Sequence, residues 1–307
     1  MPLTEIQKQV LQIIAANRSP DSYVAGATVI HAEDDSARNS DDLDLFSDYE
    51  SARALEASAI ADERSLREAG FSLVWEIQVP AFFRAVVTRD GLSLKLEWVG
   101  DSAFRFFPLE RDPILGYRLH HLDAATNKVL ALAGRNEIRD LIDCLFLHQR
   151  MLSLGALAWA ACGKDKGYTP DLILNEASRK GKFRDEELRT LNLVTPLKAT
   201  EIKREWLQAL AAAHALCDSL PAEELGCLYL DDEGKAVTPD PAAPGFSRLR
   251  RHYGSVRGAW PRIAIRRLDR AAPRIRYGEA MRFEVAVQLD GLTPGDLAVE
   301  MVFTRPG

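Results

Sequence analysis

No apolar run in the chain approaches the roughly 20 residues that a membrane-spanning helix requires. The first residues, MPLTEIQKQVLQ, lack the basic start and apolar stretch of a signal peptide, so a cytoplasmic protein is expected. Cysteine is scarce: the 307 residues hold four, Cys144, Cys162, Cys217 and Cys227, with no close-pair spacing. That excludes the common metal-knuckle and CxxC redox patterns. Three of the four stand among apolar residues of predicted helices and read as small core residues. No internal repeat is visible. Basic residues are fewer than acidic ones, 39 against 45, for a net charge of −6.

That deficit is uneven. From Gly245 to Arg276 there are ten arginines and a single acid, Asp269, so this arm carries +9 and the remainder −15. An acidic body with a basic arm can bind a polyanion locally despite its net charge. The same arginines could equally pair with the acidic body and hold the tail down. With 47% hydrophobic residues the chain can build one large or two modest cores.

Thr4 to Asn17 is predicted as a helix, with Thr4 and Gln7 as a capping box and Ile6, Val10, Leu11, Ile13 and Ile14 as its apolar stripe. Strands are expected at Tyr23 to Thr28 and Leu43 to Phe46, then a helix from Glu50 to Glu68 closed by Gly70. Three strands follow, Phe71 to Val79, Phe82 to Thr88 and Leu92 to Val99, the last two joined by a hairpin at Asp90-Gly91. From Asp123 the pattern turns helical: Asp123 to Ala133, Glu137 to Arg150, Ser153 to Cys162, short helices near 170–180 and 184–191, and a long one from Thr200 to Ser219. Past Pro221 strands return, with a Pro-rich linker, TPDPAAPG, and two or three strands between Arg274 and Phe303. The expected division is 1–122, a mixed α/β core; 123–220, a helical lobe; and 221–307, linker, basic arm and β-rich tail.

One short stretch concentrates charge where a strand begins: Ser40-Asp41-Asp42-Leu43-Asp44-Leu45-Phe46. On a strand, Leu43 and Leu45 share one face and Asp42 and Asp44 the other. Two carboxylates converging on a strand suit a hard divalent cation such as Mg²⁺; a solvated loop is the plainer alternative. Ala25-Gly26-Ala27-Thr28 precedes them, small enough for backbone N–H groups to approach a phosphate, or merely a tight turn. Lys95 and Glu97 alternate with Leu94, Leu96 and Trp98, so a third carboxylate and a lysine share a face that is either the same cleft or open solvent. Asp140 and Asp143 are neighbours on one helix face, and with Arg139 could be no more than a solvated surface.

Taken in order, these pieces resemble the nucleotidyltransferase-fold toxins of the abortive-infection AbiEii type. The residues that carry the likeness are Ala25-Gly26, Arg38-Asn39-Ser40-Asp41-Asp42-Leu43-Asp44-Leu45-Phe46, Lys95-Leu96-Glu97, Lys128 through Arg135 (KVLALAGR), and Arg139-Asp140-Leu141-Ile142-Asp143. They span about residues 20–150. Ala25 stands where that pattern has glycine and Glu97 where it has aspartate. The loop from His31 to Asn39 is unusually acidic.

The resemblance implies an α+β, polymerase β-like mixed sheet with flanking helices, a helical lobe and a small β-rich tail. It implies an enzyme moving a nucleoside monophosphate from an NTP to a cellular acceptor, tRNA or another RNA, as a toxin restrained by a cognate antitoxin. By the same resemblance Asp42, Asp44, Glu97 and Asp140 serve the chemistry, Asp42 and Asp44 holding Mg²⁺. Gly26, Ala27, Arg38, Ser40, Lys95, Lys128, Arg135, Arg139 and Asp143 meet the nucleotide. A fold that has lost turnover and binds RNA or protein, and transfer onto a protein hydroxyl, are the competing readings. Residues Pro273 to Gly307 also resemble the β-rich C-terminal segment of bacterial α-glucan phosphorylases, without any catalytic motif.

Overall fold

The structure, a computed structural model, describes residues 3–31, 38–40, 42–48, 52–102, 104–254, 263–269 and 284–289. The acids of the His31–Asn39 loop, five of the ten arginines of the basic arm and most of the phosphorylase-like tail lie outside the described residues. The chain divides into two units, Met1–His252 and Tyr253–Gly307.

In the first unit, α1 (Glu5–Ile14) opens on the expected capping box: the Gln7 N–H donates to Thr4 Oγ1 and the Thr4 N–H to Gln7 Oε1. β1 (Tyr23–Val24) is much shorter than the strand expected through Thr28, because Gly26, at φ +63°, turns the chain into the short helix α2 (Gly26–Ile30). β2 (Asp42–Asp48) follows, then α3 (Ala52–Glu68), which ends at Gly70 with φ +85°. β3 (Ser72–Val79), β4 (Phe82–Arg89) and β5 (Leu92–Asp101) form an antiparallel meander. Its Asp90-Gly91 turn has both residues at positive φ, 51° and 77°, as a two-residue hairpin requires. β6 (Glu110–Asp112) and β7 (Gly116–Arg118) were not expected. At three residues each they show no alternation. Arg118 braces them against Glu110 at 3.0 Å and Asp112 at 3.4 Å.

These seven strands make one sheet in the order β3-β4-β5-β2-β1-β7-β6, with β2 and β5 parallel at its centre. Helices α1 and α3 cover one face. Into that layer point Leu43, Leu45, Leu96 and Trp98, all fully buried, and burying each contributes roughly 1.5–3 kcal/mol. The layer also encloses Asp62, whose carboxylate takes both Arg18 Nη2 contacts and the Trp98 indole N–H at 2.8 Å. The strand that carries Glu97 is thereby tied to α3 from behind.

The helical region comprises α4 (His121–Gly134), α5 (Ile138–Arg150), α6 (Leu154–Lys164), α7 (Pro170–Arg179), α8 (Asp185–Leu188) and α9 (Ala199–Ser219). α4 packs against α2, α5, α6 and α7, joining the helices to the sheet's first turn. Residues Leu154 to Gly163 of α6 are all buried, and the four cysteines are buried and free. Among the described residues no single helix is long and apolar enough to cross a membrane. β8 (Leu228–Leu230) pairs with β9 (Arg250–His252), so residues 221–252 stay with the first unit. There Arg251, an arginine of the basic arm, pairs with Glu224 at 2.8 Å.

Within the second unit β10 (Ala264–Arg267) pairs antiparallel with β11 (Val285–Gln288). The partner of this tail strand thus comes from the basic arm; the rest of the strands expected up to Phe303 lies outside the described residues.

Candidate active site

The parallel pairing of β2 with β5 sets Asp42 opposite Lys95 and Asp44 opposite Glu97. Since registered residues share a face, Asp42, Asp44 and Glu97 all project from the side that α1 and α3 leave open. One oxygen from each lies within 4.8 Å of the others. The turn into α2 closes over them. A Cβ on Gly26 would stand 1.9 Å from Asp44 Oδ2, so only glycine lets backbone and carboxylate approach this closely. Ala25, by contrast, is extended at φ −139°, ψ −157°, a conformation open to any residue. An alanine where the resembled pattern has glycine is sterically harmless there.

The three carboxylates are treated unequally. Asp42 accepts from Ser40 Oγ at 2.9 Å through Oδ1 and from Arg139 Nη1 at 3.0 Å through Oδ2. Gln7 Nε2 holds the Ser40 carbonyl at 2.9 Å. Burial pushes the Asp42 carboxyl up, but Arg139 and Ser40 outweigh it and hold it below the usual carboxylate range. Glu97 Oε1 takes Nε and Nη2 of Arg84, both at 2.8 Å. The Asp44 carboxylate, between them, has no hydrogen bond or ion pair among the described residues. Burial, Asp42 and Glu97 push it up to about 7, against the pull of Lys128 and Arg139. Three hard oxygen donors, crowded and under-neutralised, fit a small divalent cation: it would remove the repulsion and need no soft ligand.

The facing wall comes from α4 and α5, and it places the other predicted residues differently from what was expected. Asp140 was expected to serve the chemistry, with Glu97 or Asp140 assisting the attacking hydroxyl. It is fully buried: Lys128 Nζ donates to Oδ1 at 3.0 Å, and Arg135 to Oδ2 at 2.7 Å and Oδ1 at 3.1 Å. Asp143 was expected to meet the nucleotide. It too is fully buried, with Oδ1 2.7 Å from Arg38 Nε and 2.8 Å from His31 Nε2. Its Oδ2 lies 2.8 Å from Arg38 Nη2 and 3.1 Å from Lys128. Although burial alone raises a carboxyl, Lys128, His31 and Arg38 hold Asp143 well below its ordinary range, and Arg135 and Lys128 hold Asp140 below it. Enclosed and saturated, the pair orients cations and takes no proton at neutral pH. Arg38, 3% exposed, belongs to this buried clamp. Ser40 serves Asp42.

Lys128 spends two of its three donors on Asp140 and Asp143, and Arg139 of α5 reaches across to Asp42 of β2 at 3.0 Å. Both walls therefore belong to one site. Among the described residues its solvent-reachable cations include Arg135 (49% exposed), Arg84 (30%), Arg139 (29%) and Lys95, which is exposed on the sheet side. Ala27 is buried in the first turn of α2. Sequence reasoning missed Arg84 and His31. Arg84 could have been found from the hairpin register, which sets it beside Glu97; nothing local marks His31. A second cluster, Glu110, His120 and His121, is otherwise engaged: Arg118 holds Glu110 and the Leu122 N–H donates to His120 Nδ1.

No family profile matches the chain, and no curated protein does. Solved structures do. MenT4, a nucleotidyltransferase toxin from Mycobacterium tuberculosis, is 17% identical, with a TM-score of 0.50 over 71% of this chain and 83% of that one. JHP933 from Helicobacter pylori is 18% identical, with a TM-score of 0.44 over 70% and 95%. The likeness to MenT4, with the mixed sheet and flanking helices, makes this a nucleotidyltransferase fold.

Proposed function

We propose that the protein is an NTP-dependent nucleotidyltransferase that moves a nucleoside monophosphate onto a hydroxyl of a cellular RNA, tRNA first among them, and that it acts as an AbiEii-type toxin in the cytoplasm, restrained by a cognate antitoxin. The observation that carries this reading is the pairing of an under-neutralised carboxylate trio on β2 and β5 with reachable cations on the facing wall. Catalysis of phosphoryl transfer is mostly positioning and charge neutralisation, and this arrangement supplies both.

Asp42 and Asp44 would hold Mg²⁺, with Glu97 at its edge. Bound there, the ion would withdraw charge from the donor α-phosphate. Arg135, Arg139 and Lys95 receive the outward phosphates, and Lys128 offers its remaining donor from beneath. The backbone of the Gly26-Ala27 turn lies against Asp44 and contributes N–H groups at the α2 start. The acceptor hydroxyl then attacks the α-phosphorus, forming the new P–O bond as the bond to pyrophosphate breaks, and its proton passes to solvent. The basic arm, with a charge of +9, would draw in a polyanionic acceptor by contacts that weaken with salt.

Incubation with each labelled NTP, Mg²⁺, total RNA and total protein tests the reading. Label on RNA, lost in Asp44→Asn, is the expected result. Label on protein alone would move the acceptor to a protein hydroxyl, and label on neither would leave a binding module.

A further inference from the structure

Glu97 stands where the resembled family has aspartate, and a glutamate has one more rotatable bond with which to miss a small cation. The structure removes that freedom. Arg84 is the register partner of Glu97 across the β4–β5 hairpin. Its Nε and Nη2 both reach Oε1, each at 2.8 Å. The guanidinium is itself braced against the Phe82 ring, 5.2 Å from its centroid. From behind, Trp98 pins β5 to Asp62 at 2.8 Å. Glu97 Oε2 is left with no hydrogen bond among the described residues.

We propose that Arg84 is a positioning residue that makes Glu97 a one-oxygen ligand and thereby sets the site's preference for Mg²⁺ over Ca²⁺. The proposal rests on the reading that Asp42, Asp44 and Glu97 hold a divalent cation. Mg²⁺ takes six ligands at short distance and keeps room for water and phosphate oxygens, whereas Ca²⁺ takes up to eight and gains from a carboxylate bound through both oxygens. An arginine fork occupying Oε1 blocks the two-oxygen mode. Without it, Glu97 is free to chelate the larger ion.

The test is metal binding without nucleotide. Mn²⁺ bound to the full-length protein is measured by electron paramagnetic resonance and displaced by Mg²⁺ or Ca²⁺. Arg84→Gln should weaken Mg²⁺ about tenfold, the scale of a lost ligand-orienting contact, and leave Ca²⁺ unchanged or tighter. Arg84→Lys keeps the charge without the fork and should lose the same preference. In a Glu97→Gln background, Arg84→Gln should add nothing. An unchanged Mg²⁺/Ca²⁺ ratio in both Arg84 variants overturns the Arg84 proposal alone, as does an equal loss in the Glu97→Gln background. A wild-type protein that binds none of the three ions overturns the metal reading and this proposal with it.

Discussion

The acidic groups on the two sides of the site differ in electrostatic fate. Asp44 sits between Asp42, held by Arg139, and Glu97, held by Arg84, and with no such partner of its own it is pushed up to about 7. Asp140 and Asp143 are more deeply buried, yet each is gripped by two or more cationic or hydrogen-bonding side chains and held below its ordinary range. Asp44 lacks a counter-charge of its own. The second pair already has its cations and spends them as structure. Desolvation raises the carboxyls on both sides; the number of partners decides the direction.

The largest effect should come from the saturated pair. Asp143→Ala takes from buried Arg38 its paired carboxylate and from Lys128 one of its two, and breaking a buried ion pair from one side costs about 3–5 kcal/mol. Chemical denaturation should show the loss whether or not Mg²⁺ is present. Lys128→Ala should destabilise by about 3 kcal/mol for the same reason and also weaken NTP binding. If it unfolds nothing, the clamp is not structural.

On the other wall the expectation reverses. Asp42→Asn or Asp44→Asn should lower transfer by at least about a hundredfold, the scale of losing a preorganised electrostatic contact. Both should fold, and metal-free Asp44→Asn should gain on the order of 1 kcal/mol at pH 8 by relieving repulsion. A melting temperature below wild type for metal-free Asp44→Asn would erase the contrast between the walls.

The pH dependence sharpens it further. Asp44 binds its proton more tightly folded than unfolded, so metal-free stability should fall as pH rises from about 4 to about 7. Saturating Mg²⁺ should abolish that slope. Asp140 and Asp143 bind protons less tightly when folded, so their contribution is present at neutral pH and lost below about 4. Melting curves across pH with and without Mg²⁺ read both. The smallest effect belongs to Ala25→Gly: Ala25 is extended, so the glycine of the resembled pattern should leave transfer unchanged and cost about 0.5–1 kcal/mol in chain entropy.

What the sequence made legible follows the range of the interaction. Alternation of Asp42 and Asp44 with Leu43 and Leu45 is a two-residue period, and it placed the carboxylates on the open face. The Thr4–Gln7 cap and the Asp90-Gly91 hairpin are as local and were equally readable. Asp140 and Asp143 were readable as neighbours but not as a closed clamp, because Arg38 and His31 arrive from more than a hundred residues away. Gly26 was readable as permissive, while the reason it must be glycine lies in Asp44. Arg84 sits on a neighbouring strand, where register, not spacing, reveals it.

The central parallel pair, β2 against β5, also sets when the protein becomes capable of acting. The meander β3-β4-β5 closes through adjacent strands and can form early, whereas bringing β5 beside β2 must first close the long intervening loop, a slow step. Every ligand atom of the trio depends on that late event. A nascent or refolding chain should therefore acquire hairpin structure before it can bind a cation. In stopped-flow refolding, metal capture should track the slowest phase.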